Sequence, residues 1–158
     1  MDTTLRDGER TSGMSFSSSE KLTIAKLLLE ELNVDRIEIA SARVSDGEFT
    51  AVKNITNWAK ENDYLNKVEV LTFLDNGVSI NWLSESGAKV QNLLTKGSFN
   101  HLKYQIRKTP KEHFNDVYNS VYEASKLNID TNVYLEDWSN GMRNSPDYVF
   151  DYLDFLST

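Results

Sequence analysis

The chain has 158 residues, 39% of them hydrophobic, which predicts one domain with one core. Its formal net charge of −7 argues against a nucleic-acid footprint, and no stretch approaches the roughly 18 uninterrupted apolar residues of a membrane span. With no cysteine and no apolar leader at the polar N-terminus, neither disulfides nor secretion is predicted, and a cytoplasmic protein is the expectation.

Residues 2–5 predict a first strand, with Arg6, Asp7 and Gly8 directly after its last apolar residue, Leu5. The run Ser17-Ser18-Ser19-Glu20 offers several caps for a helix, in which Leu22, Ala25, Leu28, Leu29 and Leu32 follow at helical spacing. Residues 34–40 predict a second strand. A helix over 49–61 carries Val52, Ile55, Trp58 and Ala59 on one face, and a third strand occupies 68–73. After a short helix over 80–86 comes a fourth strand at 89–94. Pro110, tolerated in a first turn, opens a long helix to about Leu127. Residues 129–135 predict the fifth strand. Ser145-Pro146-Asp147 starts a last helix, with Tyr148, Val149, Tyr152, Leu153 and Leu156 as its apolar stripe. Gly97 and Gly141 are read as loop turns, and His101 and His113 as surface residues.

Five strand–helix units in a row predict an α/β fold with a parallel sheet and helices outside. Right-handed crossovers predict sequential strand order. At 158 residues an open doubly wound sheet suits the length, whereas a complete (βα)8 barrel takes about 250 residues; the motif around Arg6-Asp7-Gly8 points instead to an incomplete barrel of about five units, open at its first and fifth strands. In such a barrel the C-terminal strand ends converge. They would bring together Arg6, Asp7 and Glu9; Glu38, Ala40, Ser41 and Arg43; Leu71, Phe73 and Asp75; Asn92, Leu94 and Thr95-Lys96-Gly97; and Tyr134, Glu136 and Asp137. Arginine can clamp a carboxylate or hold a developing oxyanion, and aspartate is a hard oxygen ligand for a divalent cation. With an apolar wall beside them, these groups suit a small anionic keto acid.

Leu5-Arg6-Asp7-Gly8-Glu9, followed by Gly13, Lys21, Ile24, Ala25 and Leu28, resembles the first signature of the isopropylmalate, citramalate and homocitrate synthases. These are metal-dependent acyltransferases related to the lyases and carboxyltransferases built on the same barrel. Ile37 to Ser45 and Asn132 to Gly141 look closest to the citramalate branch. The resemblance implies that residues 1–158 are the N-terminal portion of one catalytic barrel domain. It implies a role for Arg6 at the keto-acid oxygen and developing enolate, for Asp7 as ligand of a divalent metal (Mg, Mn or Zn), and for Glu136 in the acid/base step. Leu71, Phe73, Leu94 and Tyr134 match the pocket that sorts keto acids by side chain. Acetyl-CoA and a small 2-keto acid, pyruvate before 2-ketoisovalerate, are the implied substrates, branched-chain amino-acid biosynthesis the implied context, and a homodimer the implied state of the full-length protein.

Two departures stand out. Arg10 occupies a position where the family usually has glutamine, and the family's His-x-His pair with its later Asn is absent. Asp7 alone cannot hold a catalytic cation, so the chain by itself is expected to be inactive. The other readings are a non-catalytic half-barrel that binds a partner, and a hydroxymethylglutaryl-CoA lyase-like or carboxyltransferase-like member of the same superfamily.

Overall fold

In a computed structural model that describes residues 1–157, the β-branched and apolar runs form four strands: β1 (Ile37–Ser41), β2 (Val68–Phe73), β3 (Val90–Lys96) and β4 (Asp130–Glu136). They pair in parallel in the sequential order β1-β2-β3-β4. The β3–β4 register runs without a break from Val90↔Asp130 to Lys96↔Glu136, whereas β1–β2 carries an irregularity between Glu38 and Ala40.

The predicted strand at 2–5 is reduced to a single parallel bridge between Asp2 and Ile37. Asp2 donates its N–H to the Arg36 carbonyl at 2.9 Å and accepts from Glu38 N–H at 2.9 Å. One residue later the backbone coils: the Thr3 carbonyl accepts from the N–H groups of Arg6, Asp7 and Gly8 at 3.0, 2.8 and 3.2 Å, and the Asp2 carboxylate takes Thr4 N–H at 2.9 Å. These local bonds satisfy backbone groups that a longer strand would have paired with β1.

The helices are α1 (Ser18–Lys26), α2 (Asp46–Glu61), α3 (Val78–Glu85), α4 (Phe99–His101), α5 (Pro110–Lys126), α6 (Trp138–Asn144) and α7 (Pro146–Leu156). Capping boxes start α1 and α5, through Ser17 with Glu20 and Thr109 with Glu112. Wider π-helical turns, Leu27–Glu31 and Leu102–Ile106, continue α1 and α4. α2 begins three residues before the predicted start because the Ser45 hydroxyl accepts Glu48 N–H at 3.1 Å. α4 and α6 are absent from the sequence expectation. No helix among the described residues is long and apolar enough to cross a membrane.

Register separates the two faces of the sheet. Ile37, Ile39, Val68 and Val70 pack with Leu29, Val52, Ile55, Ala59 and Leu83. Further along the same face Leu93, Val133 and Leu135 meet Val117 and Tyr152 of α5 and α7. Each fully buried side chain of this size contributes about 1.5–3 kcal/mol. The opposite face carries Glu38 and Glu69, then Leu71, Asn92 and Asn132, then Phe73, Leu94 and Tyr134, and finally Lys96 and Glu136, each set matched in register.

Two sequence expectations are corrected here. His113 is not a surface residue: it is fully buried, because it lies on the apolar stripe of α5 with Val117, Val121 and Ala124. His101 is half-buried at the end of α4, with Nε2 at 3.4 Å from the Asp137 carboxylate. Gly141 is not a loop turn but a buried residue of α6. A Cβ there would overlap the Gly97 carbonyl oxygen, and a Cβ on Gly97 would lie 2.9 Å from the Leu135 backbone. Both positions are glycine because α6, the end of β3 and β4 approach closely there.

Candidate active site

Arg6 is aimed by a buried polar ladder. Its Nε donates to Glu38 Oε2, and Glu38 is fully buried on β1. The other oxygen, Oε1, accepts from Asn92 Nδ2 at 2.6 Å, and Asn92 Oδ1 accepts from Asn132 Nδ2 at 3.0 Å. The ladder therefore runs from the loop after the first bridge through β1 and β3 to β4. A buried carboxylate is tolerated when it is paired and hydrogen-bonded, and Glu38 meets both conditions.

Behind the same loop stands Lys21, 1% exposed. Its ammonium pairs with Glu9 at 2.6 Å and with Glu48, and donates to the Leu5 carbonyl at 3.2 Å. Burial pushes the Glu48 carboxyl above the usual range, and the Glu9 charge adds to this against the help of Lys21. Glu9 goes the other way: its modest burial is outweighed by Lys21 and by Phe16 N–H at 2.9 Å, so its carboxyl sits low. Lys21 ties the first loop to α1 and α2 from inside.

A cleft of about 890 Å³ opens at the C-terminal ends of the strands, and Arg6, Leu71, Phe73, Leu94 and Glu136 all line it. Glu9, Arg10 and Glu48 complete its charged rim. Tyr134 and Asp7 lie outside this lining. Tyr134 shares a register level with Leu94, but its hydroxyl donates to Met1 Sδ at 3.3 Å. Burial, with the Glu38 and Glu69 charges, pushes that phenol up to about 12, so it stays neutral. Asp7 is half-exposed, bonded to Arg6 Nη1 and 3.7 Å from Arg10 Nη1. Arg43 turns from the cleft to Asp75, its Nη1 at 2.7 Å from Oδ2.

Asp7 is therefore flanked by two guanidinium groups, and no cluster of three potential ligands stands among the described residues. A hard divalent ion takes about six oxygen ligands. The residues present do not by themselves fit one.

At the far side of the cleft Lys96 ends β3 and Glu136 ends β4. They are register partners, and the Lys96 ammonium pairs with the Glu136 carboxylate. The backbone of Lys96 is gripped from the helix side. Its N–H donates to His113 Nε2 at 3.3 Å, and its carbonyl accepts from the Tyr148 hydroxyl at 2.7 Å. That hydroxyl lies 3.1 Å from His113 Nδ1. Only a neutral ring with its proton on Nδ1 closes this circuit: Lys96 N–H to Nε2, Nδ1–H to the Tyr148 oxygen, Tyr148 O–H to Lys96 C=O. Burial lowers the His113 pKa to about 4, in accord with the neutral ring.

The sequence placed Glu38, Asn92 and Lys96 at the converging strand ends and Lys21 in the first signature without a task for any of them, and it put His113 on the surface. The signals were a lysine on the buried stripe of α1, in line with Ala25 and Leu28, and polar residues inside otherwise apolar strands.

Residues 1–153 match the family model described as HMGL-like. The chain is 36% identical to (R)-citramalate synthase of Methanocaldococcus jannaschii over 86% of its own length and 26% of that protein. It is also 36% identical to 2-isopropylmalate synthase of Pyrococcus furiosus, over 86% of this chain and 27% of that one. The chain thus spans about a quarter of the length of these relatives. The crystal structure of HMG-CoA lyase from Bacillus subtilis superposes with a TM-score of 0.57 at 21% identity, over 85% of this chain and 44% of that one. The sequential parallel sheet with its helices is an α/β fold of the partial (βα)8 barrel kind. By the match to the family model along nearly its whole length, the chain belongs to the HMGL-like family.

Proposed function

We propose that this chain forms the first part of the catalytic barrel of an acyltransferase that condenses acetyl-CoA with a 2-keto acid. Pyruvate, giving citramalate, is the first choice, and 2-ketoisovalerate, giving 2-isopropylmalate, the second. The observation that carries this reading is that Arg6, Glu136 and the apolar side chains Leu71, Phe73 and Leu94 line one cleft.

The roles follow from the chemistry. Loss of a proton from the acetyl methyl group gives a carbon nucleophile, with Glu136 as the acid/base group in reach of the cleft. That carbon bonds to the keto carbon, and the carbonyl electron pair moves to oxygen. Arg6, held by Glu38, stabilises the resulting alkoxide before it is protonated. Water then cleaves the thioester and releases CoA. Leu71, Phe73 and Leu94 take the keto-acid side chain, and a wall of leucine and phenylalanine favours a small one. The full-length enzyme is proposed to use a divalent metal, to which this chain supplies Asp7 alone, so the chain on its own has no turnover. A cytoplasmic place in branched-chain amino-acid synthesis belongs to the same proposal.

The test is a panel of 2-keto acids incubated with acetyl-CoA and the full-length enzyme, read as free CoA thiol. Release with pyruvate supports the reading. Preference for 2-ketoisovalerate moves the protein to the isopropylmalate branch, and no release with any keto acid ends the acyltransferase reading.

A further inference from the structure

The Lys96–Glu136 pair stands on three independent observations. Lys96 and Glu136 are the last register pair of the longest ladder in the sheet, so their side chains emerge side by side on the cleft face. The Lys96 side chain is 15% exposed and Glu136 38% exposed. The ammonium is thus nearly enclosed, while the carboxylate it holds reaches the cleft. The backbone beneath the lysine has almost no freedom. His113 and Tyr148 occupy its N–H and its carbonyl, Gly97 N–H donates to the Glu136 carbonyl at 2.7 Å, and Gly97 itself is wedged between Leu135 and Gly141.

Strand ends ordinarily fray, and a long lysine has many rotamers to lose. Here two aromatic side chains from α5 and α7 close a hydrogen-bonded circuit around one residue on the other side of the sheet. For the core alone an apolar pair at these helix positions would suffice. The circuit has a consequence the core does not need: it fixes the point from which the Lys96 side chain starts.

We propose that Lys96 is a positioning residue for Glu136, anchored by the His113–Tyr148 circuit, and that it holds the carboxylate in one rotamer over the cleft. Lys96 does not line the cleft and so acts through Glu136 rather than on substrate. The inference rests on the reading of Glu136 as the acid/base group. A carboxylate that is more than a third exposed would otherwise sample several rotamers, few of them aimed at the reacting carbon. Misplacement by about 1 Å costs up to roughly 100-fold in rate.

The experiment compares full-length wild type with Lys96→Met, Lys96→Arg and Tyr148→Phe, measuring kcat and both KM values by CoA release, and the thermal midpoint of each. Lys96→Met is expected to lower kcat roughly 10- to 100-fold with both KM values within about twofold. Lys96→Arg should recover most of the loss, because the charge and its reach to Glu136 are restored. Tyr148→Phe, which breaks the circuit without touching the cleft, should lower kcat in the same direction by less. A merely structural lysine predicts a lower thermal midpoint and unchanged kcat per folded molecule, and that outcome overturns the proposal. So does a Lys96→Arg enzyme no better than Lys96→Met. A wild-type enzyme that releases no CoA with any keto acid overturns the functional reading instead, and the positioning role with it.

Discussion

Acid should loosen this fold in part through a buried imidazole, that of His113. It is fully buried, and its two ring nitrogens are engaged as acceptor from Lys96 N–H and donor to the Tyr148 hydroxyl. A second proton on Nε2 would point at the Lys96 N–H, leaving two donors face to face. Burial is the largest cause lowering its pKa from 6.5 to about 4; the Lys108 and Lys96 charges act in the same direction, and Asp116 opposes them. The folded state therefore binds this proton less readily than the unfolded chain. Stability from His113 is fully present above pH 6.5, declines as the pH falls from 6.5 to about 4, and is lost below that. At about 1.4 kcal/mol per pKa unit, the difference amounts to about 3 kcal/mol.

The assay is urea denaturation of wild type and His113→Gln at pH 7.5 and 4.5, since carboxylates that titrate in both proteins cancel in the comparison. The advantage of wild type over the variant should shrink by about 2–3 kcal/mol at the lower pH. An advantage independent of pH would refute the reasoning. So would imidazole nitrogen shifts that place the proton of the neutral ring on Nε2.

Other expected outcomes follow from the same geometry. Gly141→Ala should destabilise the fold by about 1–3 kcal/mol or more, because its methyl overlaps the Gly97 carbonyl; an unchanged urea midpoint would contradict the close approach. Lys21→Met should cost about 3–5 kcal/mol at neutral pH by leaving Glu9 and Glu48 facing each other unpaired, and part of that loss should be recovered at low pH, where the carboxylates are protonated. If the proposed condensation is the activity, Leu94→Ala in the full-length protein should shift the kcat/KM ratio of 2-ketoisovalerate to pyruvate upward by at least about tenfold, and an unchanged ratio would remove Leu94 from the proposed pocket.

The parallel sheet and its order were legible in the sequence because strand and helix periods alternate locally, and right-handed crossovers leave little choice of winding. The RDG segment at Arg6-Asp7-Gly8 was legible as a family signature. Local pattern failed at residues 2–5, where a single bridge is followed by a turn: the apolar Leu5 suggested a longer strand, but the Thr3 carbonyl gathers three N–H groups first. It failed again at α6, whose start follows a left-handed Asp137 and whose Gly141 is set by contact with Gly97, 44 positions earlier in the chain.

Local sequence determined the four strands of the sheet, the apolar faces of the longer helices, and that Glu136 stands at a strand end. Tertiary structure alone decided what their residues meet. Arg6 is held by Glu38, Glu38 by Asn92, and Lys96 by His113 and Tyr148, across separations of 32, 54, 17 and 52 residues. Periodicity reports which side of an element a residue occupies; a hydrogen bond between elements depends on register, crossing and depth, and those exist only once the sheet and helices have packed.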